Sequence, residues 1–162
     1  MNYRKDILNL LIPYFEKDDR YYLLICDSGF GGIDQIKKRF PDRVKNMGIQ
    51  EQNTVSVAQG MAIEGLKPIV FSIMNFLVMR SFEQVRNTAI QNLDVKFIGT
   101  GANDYFNFLG KSHTCGEDDI ELMKLAKIKV YDPYEMIAEE ELNLQLYVDS
   151  WIDDEQASYI RV

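Results

Sequence analysis

The chain has 162 residues, of which 46% are hydrophobic and 27% charged, with a formal charge of -7 and a pI near 4.7. That length suits one domain whose core needs neither disulfide nor metal, and the composition shows none of the Pro, Gly or polar excess of disordered chains. The acidic balance and the lack of any basic stripe exclude a phosphate-backbone binder, so no nucleic-acid partner is expected.

Cys26 and Cys115 lie far apart and make no metal-type spacing, which fits a reducing cytoplasm better than a disulfide scaffold. Met1 to Asp6 is charged where a signal peptide would turn apolar, and no apolar run reaches membrane-spanning length. A soluble, unexported protein with no membrane partner is expected.

Short β-rich runs alternate with longer helical patterns, the mark of an α/β fold: a single doubly wound, mostly parallel sheet with helices on both faces. A helix is predicted from Arg4 toward Lys17, with Ile7, Leu8, Leu11 and Phe15 on one face and a kink at Pro13. Tyr21 to Cys26 reads as a buried strand, followed by a turn-rich Asp27 to Gly32 loop and a helix from Ile33 to Phe40. Lys37, Lys38 and Arg39 read as the solvated end of that helix, where cations complement its dipole.

A strand at Val44 to Met47 stops at Gly48, and a helix runs from Glu51 to Gly65 with small residues at Ala58, Gly60, Ala62 and Gly65. Ile69 to Ile73 suits a central parallel strand, followed by a helix at Phe76 to Gln91 and a strand at Val95 to Gly99. Thr100 to Gly116, irregular and rich in Gly, Asn and aromatics, reads as a functional loop. Glu117 to Ala126 is a helix, Ile128 to Tyr131 a strand, Pro133 to Tyr147 a helix with Pro in its first turn, and Ala157 to Val162 a last strand. No internal boundary or repeat interrupts residues 1–162.

Ligands of such sheets collect outside the carboxyl ends of the strands, so Asp27, Gly48 to Glu51, Asn75 to Phe76 and the Thr100 to Gly116 loop should share one rim. Gly29 and Gly31 suggest a dinucleotide fingerprint, but its third glycine would fall at Asp34, and the match fails.

Gly48-Ile49-Gln50-Glu51-Gln52-Asn53 closely resembles the Gly-Ile-Ala-Glu-Gln-Asn signature of the transketolase family's pyrimidine-binding domain. Phe40-Pro41-Asp42-Arg43 and the small-residue run Val57 to Gly65 flank it as they do in the family. Phe76 with Arg80 to Asn87 is similar to the aromatic helix of separately encoded transketolase subunits. Gly110-Lys111-Ser112-His113 with Glu117-Asp118-Asp119 resembles the family's Gly-x-Thr-His and acidic pair, and Ser158 to Val162 its closing strand.

The resemblance implies thiamine diphosphate chemistry, in which the cofactor supplies the C2 carbanion and the protein orients it. It assigns Glu51 to hydrogen-bond N1′ of the aminopyrimidine, which a carboxyl can do by sharing a proton at short range. Position at a helix N-terminus favours the carboxylate, whereas enclosure in a dry interface favours the acid; a plain capping acid is the competing structural role. Gly48, Phe76 and Phe82 are the further cofactor-binding candidates, although Met79 stands where full-length transketolases carry an aromatic, and an aromatic stripe on a helix is often core.

His113, the only histidine, sits in a polar loop and is a candidate catalytic and substrate-binding group, its imidazole able to donate or shuttle a proton near neutral pH. Asp27 and Arg80 are further substrate-binding candidates. Transketolases for sugar phosphates carry a second His about a dozen residues earlier, where this chain reads Thr100-Gly101-Ala102-Asn103.

The family's metal-binding Gly-Asp-Gly is missing, so no metal ligand is assigned here. Mg2+ and the diphosphate are expected on a separate diphosphate-binding-domain subunit, in an α2β2 heterotetramer; the small-faced Glu51 to Gly65 helix is either a packing surface between subunits or merely seated on its own sheet. The implied function is ketol transfer between sugars. Alternatives are decarboxylation of a 2-oxo acid with acyl or acyloin transfer, as in deoxyxylulose phosphate synthases and pyruvate dehydrogenase-type enzymes, and a non-catalytic interaction module.

Overall fold

Alternation along the strands decides the architecture. In the computed structural model, which describes residues 3–135 and 143–162, six strands form one sheet. They are β1 (Tyr21–Ile25), β2 (Val44–Asn46), β3 (Lys67–Ile73), β4 (Lys96–Thr100), β5 (Lys129–Tyr131) and β6 (Ser158–Arg161). Every neighbouring pair is parallel, in the order β2-β1-β3-β4-β6-β5.

Leu23, Ile25, Ile69, Phe71, Ile98 and Ile160 point into one core, while Leu24, Val70, Phe97 and Tyr159 point into the other. A period of two thus supplies both faces of a doubly covered sheet. Against the first face pack α1 (Arg4–Leu10), α2 (Ile12–Lys17), α3 (Asp34–Arg39) and α7 (Leu144–Ile152), through Ile7, Leu8, Phe15, Ile36, Val148 and Trp151. Against the second pack α4 (Glu51–Ile63), a π-helix (Asn75–Arg80), α5 (Phe82–Ile90) and α6 (Asp118–Leu125), through Val55, Ala58, Leu77, Val85 and Met123.

At 7, 6 and 6 residues, α1, α2 and α3 are too short to hold a helix alone. Tertiary burial holds them instead, each fully buried large apolar side chain contributing about 1.5–3 kcal/mol.

Several boundaries depart from the sequence reading. The expected kinked helix from Arg4 to Lys17 is two helices divided at Leu11, because Pro13 in the first turn of α2 lacks the N–H that would continue α1. The continuous helix expected over Phe76 to Gln91 breaks at Ser81, whose hydroxyl donates to the carbonyls of Leu77 and Phe76. That competition for backbone acceptors accompanies the wider π-type turn. The strand expected at Val95 lies one residue later. Of the helix expected from Pro133 to Tyr147, residues 136–142 lie outside the described residues; Pro133 and Tyr134 form a turn, and α7 continues past Tyr147 to Ile152. The irregular Thr100 to Gly116 segment contains three short 3-10 turns.

Lys37, Lys38 and Arg39 are exposed at the end of α3 as expected, Arg39 pairing with Glu16 at 3.0 Å. Among the described residues, no helix is long and apolar enough to cross a membrane.

Candidate active site

The strand order reverses direction between β1 and β3, and crevices of such sheets open at that point, outside the carboxyl ends. There the structure has a cleft of about 270 Å³ lined by Arg4, Asp27, Ser28, Gly29, Phe30, Ile73, Thr100 and Phe106.

The loops around it are tied by Asn46, at the end of β2. Its Oδ1 accepts the N–H groups of Asp27 at 3.1 Å and Gly48 at 3.0 Å, and its Nδ2 donates to Asp27 Oδ1 at 3.0 Å. Both loops need left-handed backbone: Gly48 has φ 75 and Asp27 φ 45, the latter a conformation that Asp tolerates better than most residues. Gly48 thus makes the turn that starts α4, and Glu51 becomes that helix's first residue.

Glu51 is 1% exposed. Its Oε2 lies 2.8 Å from Arg80 Nη1, and its Oε1 accepts only a long 3.5 Å contact from Ser72 Oγ. A carboxylate so enclosed needs a counter-charge, which Arg80 provides together with the helix N-terminus. Arg80 is itself part-exposed and lies with Cζ 4.3 Å from the centre of the Phe76 ring. The Phe76 ring meets His113 edge-on, with centroids 5.1 Å apart and planes at 76°.

Glu51, Arg80, Phe76 and His113 therefore form a continuous row of contacts, drawn from α4, the π-helix and the Thr100 to Gly116 loop. His113 is half-buried, its Nδ1 3.0 Å from Ser112 Oγ. Phe82, by contrast, is half-buried against the core that holds α4, α5 and α6. Asp27 lines the cleft rather than the row.

Beneath Glu51, Cys26 Sγ contacts Thr54 Oγ1 at 3.4 Å; burial, with some help from the Glu51 charge, pushes this thiol up to about 11. Behind the His113 loop lies a buried polar cluster. Arg161 Nε reaches Asp119 Oδ2 at 2.9 Å, its Nη1 reaches Asp132 Oδ2 at 2.5 Å, and Tyr159 Oη donates to Asp119 Oδ2 at 2.7 Å. Burial opposes the Arg161 charge, but Asp119 and Asp132 outweigh it and hold the guanidinium protonated above its ordinary range.

Sequence reasoning missed Arg4, Asn46 and Arg161, and placed Asn75 on the rim without giving it a role. The position of Asn46 at the end of a strand, on the ligand-binding rim, is the one signal that could have found it; the others work through partners distant in the chain. Among the described residues no group of three or more His, Cys, Asp or Glu could hold a metal ion.

The family model "Transketolase, pyrimidine binding domain" matches residues 1–143. A 6-deoxy-6-sulfo-D-fructose transketolase subunit, SqwH, from Clostridium sp. (strain MSTE9) is 29% identical over 132 residues, covering 80% of this chain and 41% of the relative. The solved structure of a split gene transketolase, an inactive beta4 tetramer, superposes with a TM-score of 0.80 at 28% identity, over 99% of this chain and 51% of that one. The transketolase of Campylobacter jejuni superposes with a TM-score of 0.73 at 14% identity, over 98% of this chain and 25% of that one, a likeness of fold. The chain thus spans about half or less of the length of these relatives.

Proposed function

The chain belongs to the transketolase pyrimidine-binding domain family, and on that premise we propose that it is the pyrimidine-side subunit of a split, thiamine diphosphate-dependent enzyme that transfers a two-carbon ketol unit between sugars. The observation that carries this reading is Glu51, buried at the start of α4 with one carboxyl oxygen held by Arg80 and the other only loosely engaged by Ser72. A loosely held buried carboxyl oxygen is suited to share a proton with a ring nitrogen.

The residues present fit the aminopyrimidine half of the cofactor: an enclosed carboxyl, the half-exposed Phe76 ring beside it, and Gly48 bending the chain between them and Asp27. Mg2+ and the diphosphate are assigned to a partner chain that carries Gly-Asp-Gly, a division supported by the split-gene and subunit relatives. When bound, thiamine diphosphate supplies carbanion chemistry. This chain's own part is then limited and definite. Glu51 holds the proton at the ring nitrogen, Phe76 packs the ring, Arg80 balances the Glu51 charge, and His113 donates to or exchanges a proton with the substrate.

Partner dependence is supported by the rim itself. Phe30 is 73% exposed, Ile49 73% and Phe108 76%, around a site that would otherwise stand open to water. Large apolar side chains gathered at one edge favour a protein interface. An α2β2 assembly is proposed on that basis, and the two buried free thiols favour a reducing, cytoplasmic setting.

For the substrate, the cleft offers the carboxylate of Asp27 and the hydroxyls of Ser28 and Thr100. This set suits the hydroxyl groups of a ketose, in line with the sugar in the name of the Clostridium relative. The test is product analysis of the chain reconstituted with its partner and supplied with ketose or pyruvate donors. Ketol transfer from ketoses is expected, with a loss of about 100- to 10,000-fold in Glu51→Ala. Products from pyruvate alone would favour the acyl-transfer alternative and overturn the proposal.

A further inference from the structure

We propose that Arg161 and Asn75 are positioning residues that clamp the Gly101 to Gly116 loop from two sides and thereby hold His113 against Phe76. This rests on the role given to His113 above. From Asn103 to Ser112 the loop is exposed except at the half-buried Phe106, so burial along its length does not set its place. Its anchors lie at its ends, where Ala102 and Cys115 are buried with Met74 and hydrogen bonds fix the backbone.

At the entry, the N–H groups of Gly101 and Ala102 both donate to the Val162 carbonyl, at 2.7 and 3.1 Å. At the exit, Arg161 Nη2 donates to the Gly116 carbonyl at 3.0 Å. Two consecutive residues at the end of β6 thus hold both ends of one loop. On the other side, Asn75 Nδ2 donates to the Thr114 carbonyl at 2.8 Å, tying the residue after His113 to the residue before Phe76.

Arg161 can do this because its guanidinium is already fixed. Asp119 takes Nε and Asp132 takes Nη1, which leaves Nη2 aimed at Gly116 with the side chain almost wholly buried. A lysine carries the same charge but cannot serve three separate acceptors in one plane. Among the described hydrogen bonds, none joins Arg161 or Asn75 to His113. Both act through backbone carbonyls one and three residues beyond it, and a misplacement of about 1 Å in such a group can cost about 100-fold in rate.

Because His113 is the only histidine, its imidazole signals identify it in an NMR spectrum of the intact chain without further assignment. In the unaltered chain one set of signals is expected, with a cross-peak to the Phe76 ring. Arg161→Lys and Asn75→Leu should remain folded by circular dichroism, yet lose most of that cross-peak and show broadened or doubled imidazole signals. In the reconstituted pair each should lower kcat/KM by about 10- to 100-fold, mainly through kcat.

Variants that melt at lower temperature but keep the cross-peak at full strength well below the melt have lost only structure, and that result overturns the proposal. If Arg161→Lys fails to fold, Asn75→Leu decides alone. The functional reading fails separately: undiminished turnover in His113→Ala would remove the catalytic consequence of the clamp, whatever the spectra show.

Discussion

A buried carboxylate with one half-exposed arginine as its partner is an unequal pair. Removing the guanidinium leaves Glu51 enclosed and uncompensated, whereas removing the carboxylate's charge leaves Arg80 free to turn toward water. Arg80→Ala should therefore destabilise the chain by about 1–3 kcal/mol, discounted from the larger cost of a fully buried pair because Arg80 is part-exposed. Glu51→Gln should stay within about 1 kcal/mol of the parent, and the double variant should recover most of the Arg80→Ala loss. Urea unfolding measures all three, and a Glu51→Gln chain less stable than Arg80→Ala would contradict this ordering.

The two thiols give a second test at this scale. Burial pushes Cys26 up to about 11 and Cys115 up to about 12. Neither should react with an aromatic disulfide reagent at neutral pH in the folded chain, and both should react in urea. The local run around Glu51 and the position of Phe76 were legible in the sequence because each is carried by neighbours in the chain. Arg161 was not, since its partners Asp119, Asp132 and Gly116 are 29 to 45 positions away and only the fold brings them together.

At the scale of elements, the six strands could be placed from the sequence to within two residues. Helix continuity could not, because the Ser81 hydroxyl competes with the backbone in a way that periodicity does not register. Gly99 is a comparable case. It reads as an ordinary strand residue, yet a Cβ there would lie 2.2 Å from Tyr159 Oη, on the neighbouring strand β6. Gly99→Ala should cost about 2–3 kcal/mol by forcing Tyr159 off Asp119, with part of the loss recovered by adding Tyr159→Phe; denaturant midpoints check both.

Asp18, just after α2, joins that helix to β1 and β3. Its hydrogen bonds from Arg20, and then Lys67, hold its carboxyl well below the usual range. A lowered folded value means stability present above the unfolded carboxylate range and lost as pH falls below about 4. Asp18→Asn should flatten that acid-side loss while costing less than about 1 kcal/mol near neutrality, where solvent screens the pair. Unfolding curves across acidic pH read the slope.

At the scale of the molecule, the reversal between β1 and β3 gathers onto one rim what the sequence disperses from Arg4 to His113. That rim carries a cleft, a buried carboxyl and exposed aromatic side chains, which together suit a site completed by another polypeptide. The most direct measurement is calorimetric: thiamine diphosphate with Mg2+ is titrated into this chain alone, into its mixture with the proposed Gly-Asp-Gly partner, and into the same mixture carrying Glu51→Gln. Saturable binding is expected only from the mixture, weakened about tenfold or more by the substitution, as befits loss of a charge-assisted hydrogen bond. Saturable binding by the chain alone, or undiminished affinity with Glu51→Gln, would contradict a cofactor held by Glu51 across a subunit boundary.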